Sequence, residues 1–471
     1  MAKVGILTFI DGRDFVAEKL IKMNKGFQDR IVKRLKADGH QVVAGEIVWT
    51  NVLAKAEAIK IAQAGCDCTI FNYAVWAFPH FTAIASQFVP KPILAFGCIN
   101  PKFPGMVGLL ASVGGLNQIG VPVTRVYGEI EDEKVYKQVA QFVRGAYASN
   151  KLKGETYGCF GGRPMGMYTA ASNTDQWMAE FGIDIEHIDQ WEIVRRSEKI
   201  SPAKVNKAFD YLTAVMGKNI MYDGKQLTPE ILKRQLRSYY AVEAICKEMN
   251  LDFCGIKGQP ELTNSFCTMD VCEAFMNDPY GPDGKAKKPI VCATEADTDA
   301  ALTMEILKHI SGTPVLFADV RHYFEKEGVF DFVNSGEHAT YFAAKSYKPE
   351  ENLKHVYFYP ESEFYFPAGG ASVQHLAAPG LATFARLTRM DGAYWMAIMR
   401  GEIVRYADKK NKTMMEETQI EWPHCFVKLE CAPETFLQTY ASNHIHAAYG
   451  DWVEELRHVC KNIGIEAIVF E

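Results

Sequence analysis

Two carboxylates each follow a buried-strand pattern, and both are candidates for catalysis or metal binding. The first ends the segment Pro289-Ile-Val-Cys-Ala-Thr-Glu295, and the second ends Pro314-Val-Leu-Phe-Ala-Asp319. One amphipathic helical segment, residues 298–310, lies between them, which predicts a βαβ unit with two parallel strands in one sheet. Both strands would then end at the same sheet edge, about 5 or 10 Å apart. The pattern therefore predicts that Glu295 and Asp319 can share one cation.

Two neighbouring carboxylates repel each other, so they either share a proton or bind a metal. Oxygen ligands with one imidazole suit divalent manganese or magnesium. The imidazole candidates are His444 and His446 in Ser442-Asn-His-Ile-His446, which on a strand would point to the same face. Each residue also has a simpler interpretation. A carboxylate after a strand commonly caps a helix, and a histidine in a polar loop commonly only forms hydrogen bonds.

The elements that must position these residues fall into three regions. Residues 1–153 alternate short β-branched segments with helical ones such as residues 27–37, which predicts a parallel sheet covered on both faces in a Rossmann-like or flavodoxin-like domain. The same alternation restarts in residues 154–333, whose strands end at the candidate acids. Residues 334–471 are mostly β, with a closing helix at 452–462. The predicted fold class is α/β, with two Rossmann/flavodoxin-like α/β domains followed by a mostly β C-terminal domain.

The segments that we predict as strands are short and apolar. In the first domain they are residues 3–9, 41–48, 69–73, 92–96 and 122–127; in the second, 156–160, 183–188, 251–256, 289–294 and 314–320; in the third, 341–344, 355–359, 383–388, 394–399 and 424–429.

Composition and charge exclude several classes of protein. The net charge is −6 and the basic run at residues 285–288 is short, so a nucleic-acid partner is not expected. No apolar stretch is long enough for a membrane helix. The apolar start at residues 4–10 lacks a signal-peptide cleavage site, which predicts a cytoplasmic protein. The 12 cysteines include no pair with zinc-site spacing, so reduced thiols are expected.

Several short motifs, taken in chain order, resemble the L-fucose isomerase family. They extend through all three predicted domains, and their joint order carries the resemblance. The motifs are Ile10-Asp-Gly-Arg13, Gly161-Gly-Arg-Pro-Met-Gly166, Ala293-Thr-Glu-Ala-Asp297, Phe317-Ala-Asp-Val-Arg-His-Tyr323, Val333-Asn-Ser-Gly336, Asn443-His444 and Tyr449-Gly450.

The resemblance implies a manganese-dependent sugar isomerase. It implies that Glu295, Asp319 and His444 bind Mn²⁺ and that the open-chain sugar chelates this ion through the oxygens on C1 and C2, with His446 in a secondary position. We expect Glu295 and Asp319 to act also as the acid/base pair on opposite sides of an enediol. A hydride shift, as in other metal-dependent sugar isomerases, is the rival chemistry.

The resemblance also implies a sugar pocket and an assembly. Arg13, Trp76, Met165 and Asn443 would line the pocket, with Arg13 and Trp76 reaching a neighbouring subunit's site in a homohexamer. Two of these residues have simpler interpretations, since Trp76 could be a core residue and Met165 a gap filler.

The sequence departs from the family where the substrate is expected. Lys257-Gly-Gln259 stands where the family has Gln-Gly-Gln, and residues 368–372 lack the family's aromatic sugar contact. Lys257 could therefore bind an anionic aldose with a phosphate or sulfonate group, or it could face solvent. A non-catalytic sugar-binding protein is the alternative from another class. A nucleotide oxidoreductase is disfavoured, because the first βα loop has no Gly-x-Gly-x-x-Gly turn.

Overall fold

The computed structural model describes residues 1–335 and 337–471, which form two compact units. The first unit comprises residues 1–151 and 457–462, and the second comprises residues 152–456 and 463–471. The division into three domains at 153/154 and 333/334 stays a prediction. The last residue of the predicted motif at 333–336 lies outside the described residues. No described helix combines the length and apolar character needed to cross a membrane.

The first unit contains a parallel sheet with helices on both faces. Its elements are β1 (Lys3–Phe9), α1 (Asp14–Ala37), β2 (Gln41–Val48), α2 (Asn51–Gln63), β3 (Cys68–Tyr73), α3 (Pro79–Ser86), β4 (Ile93–Cys98), α4 (Gly105–Gln118), β5 (Val123–Gly128) and α5 (Glu133–Lys151). The strand order is β2-β1-β3-β4-β5, which is the flavodoxin-like order. Every residue of β3 and β4 is buried. Alternate residues therefore feed two apolar cores, one on each face.

The second unit begins with another parallel sheet. Its elements are β6 (Thr156–Phe160), α6 (Thr174–Phe181), β7 (Asp184–Ile188), α7 (Trp191–Ser197), α8 (Pro202–Met216), α9 (Pro229–Met249), β8 (Phe253–Ile256), α10 (Glu261–Ser265), α11 (Asp270–Asn277), β9 (Cys292–Thr294) and α12 (Thr298–Ser311). The strand order is β7-β6-β8-β9. Ligands of such sheets bind beyond the carboxyl ends of the strands, and in this sheet that edge carries Lys257 and Glu295.

The rest of the second unit is rich in strands. Its elements are β10 (Leu316–Phe324), β11 (Val329–Val333), α13 (Pro349–Leu353), β12 (Tyr357–Pro360), β13 (Ala371–Gln374), β14 (Gly380–Met390), β15 (Ala393–Ile403), α14 (Asp408–Glu417), β16 (His424–Leu429), α15 (Pro433–Thr439), β17 (His444–Tyr449) and β18 (Glu466–Phe470). The helix α16 (Val453–Ile463) precedes β18, and its residues 457–462 are assigned to the first unit. The pairing β14-β17-β10-β11-β16-β15, together with the direct pairing of β14 and β15, closes six strands into a ring. The predicted fold class is confirmed: two parallel α/β sheets precede a β-rich C-terminal part.

The predicted βαβ unit around α12 is wrong. β9 pairs in parallel with β8 in the four-stranded sheet, whereas β10 pairs antiparallel with β11 and β17 in the ring. The physical reason is local. β11 follows β10 after only a short turn that contains Gly328 at φ 62°, and such a turn favours a hairpin over a long crossover. The two acids therefore stand on different sheets.

The strand predicted at residues 341–344 is also wrong. Thr340–Ala343 forms a short 3₁₀ helix. The buried carboxylate of Asp278 accepts hydrogen bonds from the backbone nitrogens of Thr340 and Tyr341 at 3.1 and 2.9 Å. A side chain thus satisfies the backbone groups that a sheet partner would otherwise bind.

Candidate active site

Glu295 follows β9 directly and lies in a strained turn. Glu295 and Ala296 both adopt left-handed backbone conformations, with φ of 58° and 47°, which cost roughly 1–2 kcal/mol per non-glycine residue. The turn is held by two hydrogen bonds: the nitrogen of Ala296 donates to the carbonyl of Ile256 at 2.9 Å, and the hydroxyl of Tyr157 donates to the carbonyl of Ala296 at 3.3 Å. Such strain persists only where the surroundings impose it, and it is common at functional sites.

Asp319 and His444 are positioned by strand pairing. They stand opposite each other on the antiparallel strands β10 and β17, and the next pair on the same face is Phe317 with His446. The phenyl ring of Phe317 packs against both imidazoles, with centroids 4.7 Å from His444 and 5.0 Å from His446. Register therefore fixes Asp319 and His444 relative to each other without any contribution from β9.

The three side chains of the predicted metal triad come together. Nε2 of His444 lies 3.1 Å from Oε2 of Glu295 and 3.4 Å from Oδ1 of Asp319. Ligand atoms about 2.1 Å from one octahedral ion lie about 3 Å apart when they are adjacent, so each of these two separations from Nε2 is close to that of adjacent ligands. His444 is fully buried, and its Nε2 has no hydrogen-bond partner of acceptable geometry among the described residues. A buried nitrogen without a hydrogen-bond partner fits a metal ligand.

Asp297 contacts His444 directly, and no role for it is predicted from the sequence. Its Oδ2 accepts a hydrogen bond of 2.5 Å from Nδ1 of His444 and one of 2.8 Å from Nη1 of Arg386. Its Oδ1 accepts from the backbone nitrogen of Ala300 and so caps α12. A carboxylate that binds one imidazole nitrogen fixes the tautomer and aims the other nitrogen at the metal. The signal was present in the sequence: an aspartate directly before an amphipathic helix.

The local charges favour a bound cation. Burial opposes protonation of His444, but the neighbouring carboxylates of Asp297 and Glu295 raise its pKa to about 10. Burial, with Glu295 nearby, raises the pKa of Asp319 to about 6 despite the opposing effect of His444. Burial also disfavours ionisation of Asp297, but Arg386 and His444 hold its pKa below the usual range. Three carboxylates around one imidazole thus attract a positive charge.

His446 faces a different partner. Its Nε2 lies 3.3 Å from Nη1 of Arg386, a fully buried guanidinium that also donates to the carbonyl of Thr169 at 2.7 Å. Burial and the charge of Arg386 hold the pKa of His446 well below its usual value. His446 is therefore a neutral acceptor for Arg386, which is consistent with a secondary position.

The remaining residues predicted in the second unit have different surroundings. Asn443 precedes His444 and contacts Oγ1 of Thr169 at 3.4 Å through its Oδ1. Met165 lies in the same loop as Thr169, is 53% exposed and has φ of 38°. Lys257 follows β8 and Glu295 follows β9, after the last paired residues Ile256 and Thr294. Nζ of Lys257 lies 2.6 Å from Oε1 of Glu261.

Lys257 and Glu261 line a cavity of about 350 Å³ at the carboxyl edge of the four-stranded sheet. Nε2 of Gln190 donates to Glu261 at 3.0 Å. The side chain of Lys257 is 16% exposed. Its ammonium group therefore lies at a cavity wall and is paired with Glu261, whose side chain is exposed.

Arg13 and Trp76 belong to the first unit, where they follow the neighbouring strands β1 and β3. The guanidinium of Arg13 donates two bonds to the buried carboxylate of Asp11, at 2.6 Å from Nη2 and 3.0 Å from Nε, and its side chain is 57% exposed. Trp76 is half-buried in the loop after β3. Both residues therefore lie at the carboxyl edge of their own sheet, where a ligand of that sheet would bind.

A second group of possible metal ligands lies elsewhere in the second unit. Across residues 1–335 and 337–471, one group of three residues has ligand atoms that all lie within 4.8 Å of one another: Glu155, Glu305 and His309. None of these residues was predicted from the sequence, and none belongs to the triad around His444.

Comparison with known proteins identifies the family. Residues 1–154 match the model of the first N-terminal domain of L-fucose isomerase, and residues 332–471 match the model of its C-terminal domain. L-fucose isomerase from Bacteroides thetaiotaomicron is 25% identical to this chain, with 96% of this chain and 91% of that protein covered. The enzyme from Haemophilus influenzae is 24% identical, with coverage of 95% and 89%. Relatives thus match the chain almost from end to end.

These matches identify the protein as an isomerase of the aldose–ketose type. The chain belongs to the L-fucose isomerase family, as its motifs indicated. Among solved structures, an ABC sugar transporter subunit from Rhodobacter sphaeroides 2.4.1 shows 11% identity and a TM-score of 0.16, with 66% of this chain and 93% of that chain covered. A likeness this low carries no argument about the fold or the function.

Proposed function

We propose that the protein converts an open-chain aldose into its ketose at a Mn²⁺ ion held by Glu295, Asp319 and His444. The observation that carries the proposal is the convergence of two carboxylates on the buried, unused Nε2 of His444. Oxygen-rich donors with one imidazole suit manganese better than a thiolate-loving ion. When bound, the ion would act as a Lewis acid that stabilises negative charge on the sugar oxygens.

Glu295 and Asp319 are the proposed acid and base. Isomerisation moves one proton from C2 to C1 and another between the two oxygens, so it needs two groups that exchange protons. His444 is held by Asp297 at Nδ1, so its role is to hold the ion and not to move protons.

The substrate proposal favours a neutral sugar. Lys257 was the candidate group for binding an anionic aldose, but its ammonium is paired with Glu261 at 2.6 Å, and an anion would have to displace that partner. Arg13, Trp76, Met165 and Asn443 remain proposed pocket residues. A panel of neutral and anionic aldoses, with and without a phosphate or sulfonate group, tests this preference. Faster turnover of the anionic members would overturn it.

The metal and the reaction are tested together by assaying ketose formation with added Mn²⁺ and after chelation. We expect activity to disappear with chelator and to return with Mn²⁺. A non-catalytic sugar-binding protein would form no ketose and would contain no stoichiometric metal. That outcome would refute the proposal.

The enediol route is distinguished from a hydride shift by running the reaction in deuterated water. Proton exchange with Glu295 or Asp319 would place solvent deuterium on C1 of the product. A product without deuterium would favour the hydride shift instead. The homohexamer is a further proposal from the family resemblance, and sedimentation of the full chain tests it.

A further inference from the structure

The cluster of Glu155, Glu305 and His309 lies at the far end of α12 from the residues around His444. Glu305 and His309 stand one turn apart on α12 and therefore share a face. Glu155 directly precedes β6. Nε2 of His309 lies 2.9 Å from Oε1 of Glu155 and 3.1 Å from Oε1 of Glu305. One imidazole nitrogen thus meets two carboxylates that come from different elements.

The spacing of these three atoms fits a small divalent ion. Nitrogen and oxygen ligands about 2.1 Å from a tetrahedral zinc ion lie about 3.4 Å apart. The two observed separations from Nε2 are only a few tenths of an ångström shorter, and all three atoms lie within 4.8 Å. An ion could therefore enter with small side-chain movements.

Glu305 supplies a second, independent reason to expect a ligand. Its side chain is 1% exposed, and its Oε2 has no hydrogen-bond partner among the described residues. Its Oε1 lies 2.6 Å from Nζ of Lys308, whose side chain is 18% exposed. Because Lys308 is long and reaches solvent, it can leave, whereas the buried carboxylate of Glu305 cannot.

We propose that Glu155, Glu305 and His309 form a second metal site, separate from the site at His444, for a divalent ion of the zinc type. Two carboxylates and one imidazole suit such an ion, with solvent water completing the coordination. Its position in the last turns of α12 also places positive charge at the negative end of the helix dipole. The bound ion would tie the start of β6 to α12, the helix whose first turn is capped by Asp297.

The test counts zinc ions on the full-length protein. Metal-free protein is equilibrated with Zn²⁺, freed of excess by gel filtration and analysed by elemental mass spectrometry. We expect two equivalents on the wild type, one on His309→Gln, one on His444→Gln and none on the double variant. His309→Gln should keep the isomerase activity, because His309 lies outside the proposed catalytic residues.

If the wild type binds only one equivalent of zinc and His444→Gln binds none, the second site is overturned and the proposed function stays intact. Zinc retained at full stoichiometry by His309→Gln would overturn it as well.

Lys308→Gln is the matched control variant, since it removes the competing ammonium and keeps all three ligands. We expect the second equivalent to bind several-fold more tightly in Lys308→Gln, measured by competition with a chelating dye. An unchanged or weaker affinity would contradict a site centred on Glu305. This measurement depends on neither the His309 substitution nor turnover, so it keeps the proposal testable if His309→Gln fails to fold.

Discussion

Replacing Asp297 by asparagine tests how the proposed metal centre is built. The substitution removes the negative charge that faces Nδ1 of His444 at 2.5 Å and the guanidinium of Arg386 at 2.8 Å. The helix cap should survive, because asparagine caps helices as well as aspartate does. The variant therefore separates the charge of Asp297 from its capping role.

The expected loss has two measurable parts. A group that orients a metal-binding histidine typically contributes 10- to 100-fold in metal affinity, so Mn²⁺ should bind Asp297→Asn more weakly by about 1.4–2.7 kcal/mol. Arg386 is fully buried, and an uncompensated buried charge costs about 3–5 kcal/mol of folding free energy. Calorimetric titration with Mn²⁺ gives the first quantity, and urea unfolding gives the second.

Asp299→Asn is the matched control. Asp299 is equally buried and also pairs with an arginine, Arg389, at 3.1 Å, and it accepts a bond from Tyr394. It does not appear among the partners of His444, so its loss should lower stability without changing Mn²⁺ affinity. If Asp297→Asn, shown to be folded by circular dichroism, binds Mn²⁺ as tightly as Asp299→Asn does, Asp297 does not orient His444.

Three further predictions concern activity, packing and pH. Glu295→Gln and Asp319→Asn should each stay folded and lose about 10²–10⁴-fold in turnover; wild-type rates with metal bound would contradict the acid/base assignment. Gly255→Ala should cost about 1–3 kcal/mol in urea unfolding, since the added Cβ would lie 2.4 Å from the hydroxyl of Tyr157. Burial lowers the pKa of His458 to about 4, so the folded protein keeps this ring neutral while the unfolded chain takes up a proton below about pH 6.5. The free energy of unfolding of the wild type should therefore fall as the pH drops from about 6.5 towards 4. At pH 5, His458→Leu should lose up to about 2 kcal/mol less than the wild type. Equal losses in the two proteins at pH 5 would refute the assignment.

The local elements were largely predictable from the sequence. The bounds of β1, β2, β6 and β16 match the predicted segments residue for residue, because β-branched runs between turn residues are a short-range signal. The approach of Glu295 to His444 is also found in the structure, although the predicted βαβ unit is not what brings them together. The acids were expected on one parallel sheet, and they stand on two.

What the sequence could not supply was the pairing of distant residues. Asp297 meets Arg386 across 89 positions and His444 across 147, and no local period encodes such contacts. The alternative interpretation, that an acid after the strand caps a helix, is correct for Asp297 and not for Glu295, which lies two residues earlier. A capping aspartate can also hold a histidine, and only the fold reveals this second use.

The three proposed ligands would not respond equally if the ion were withdrawn. Asp319 and His444 are tied into neighbouring strands of a closed ring, so their relative placement should outlast the metal. Glu295 sits on a backbone turn that favours other conformations. Loss of the ion should therefore begin with the release of Glu295. In the metal-free protein Asp319 and His444 should keep their relative positions, so two of the three ligands stay in place for a new ion.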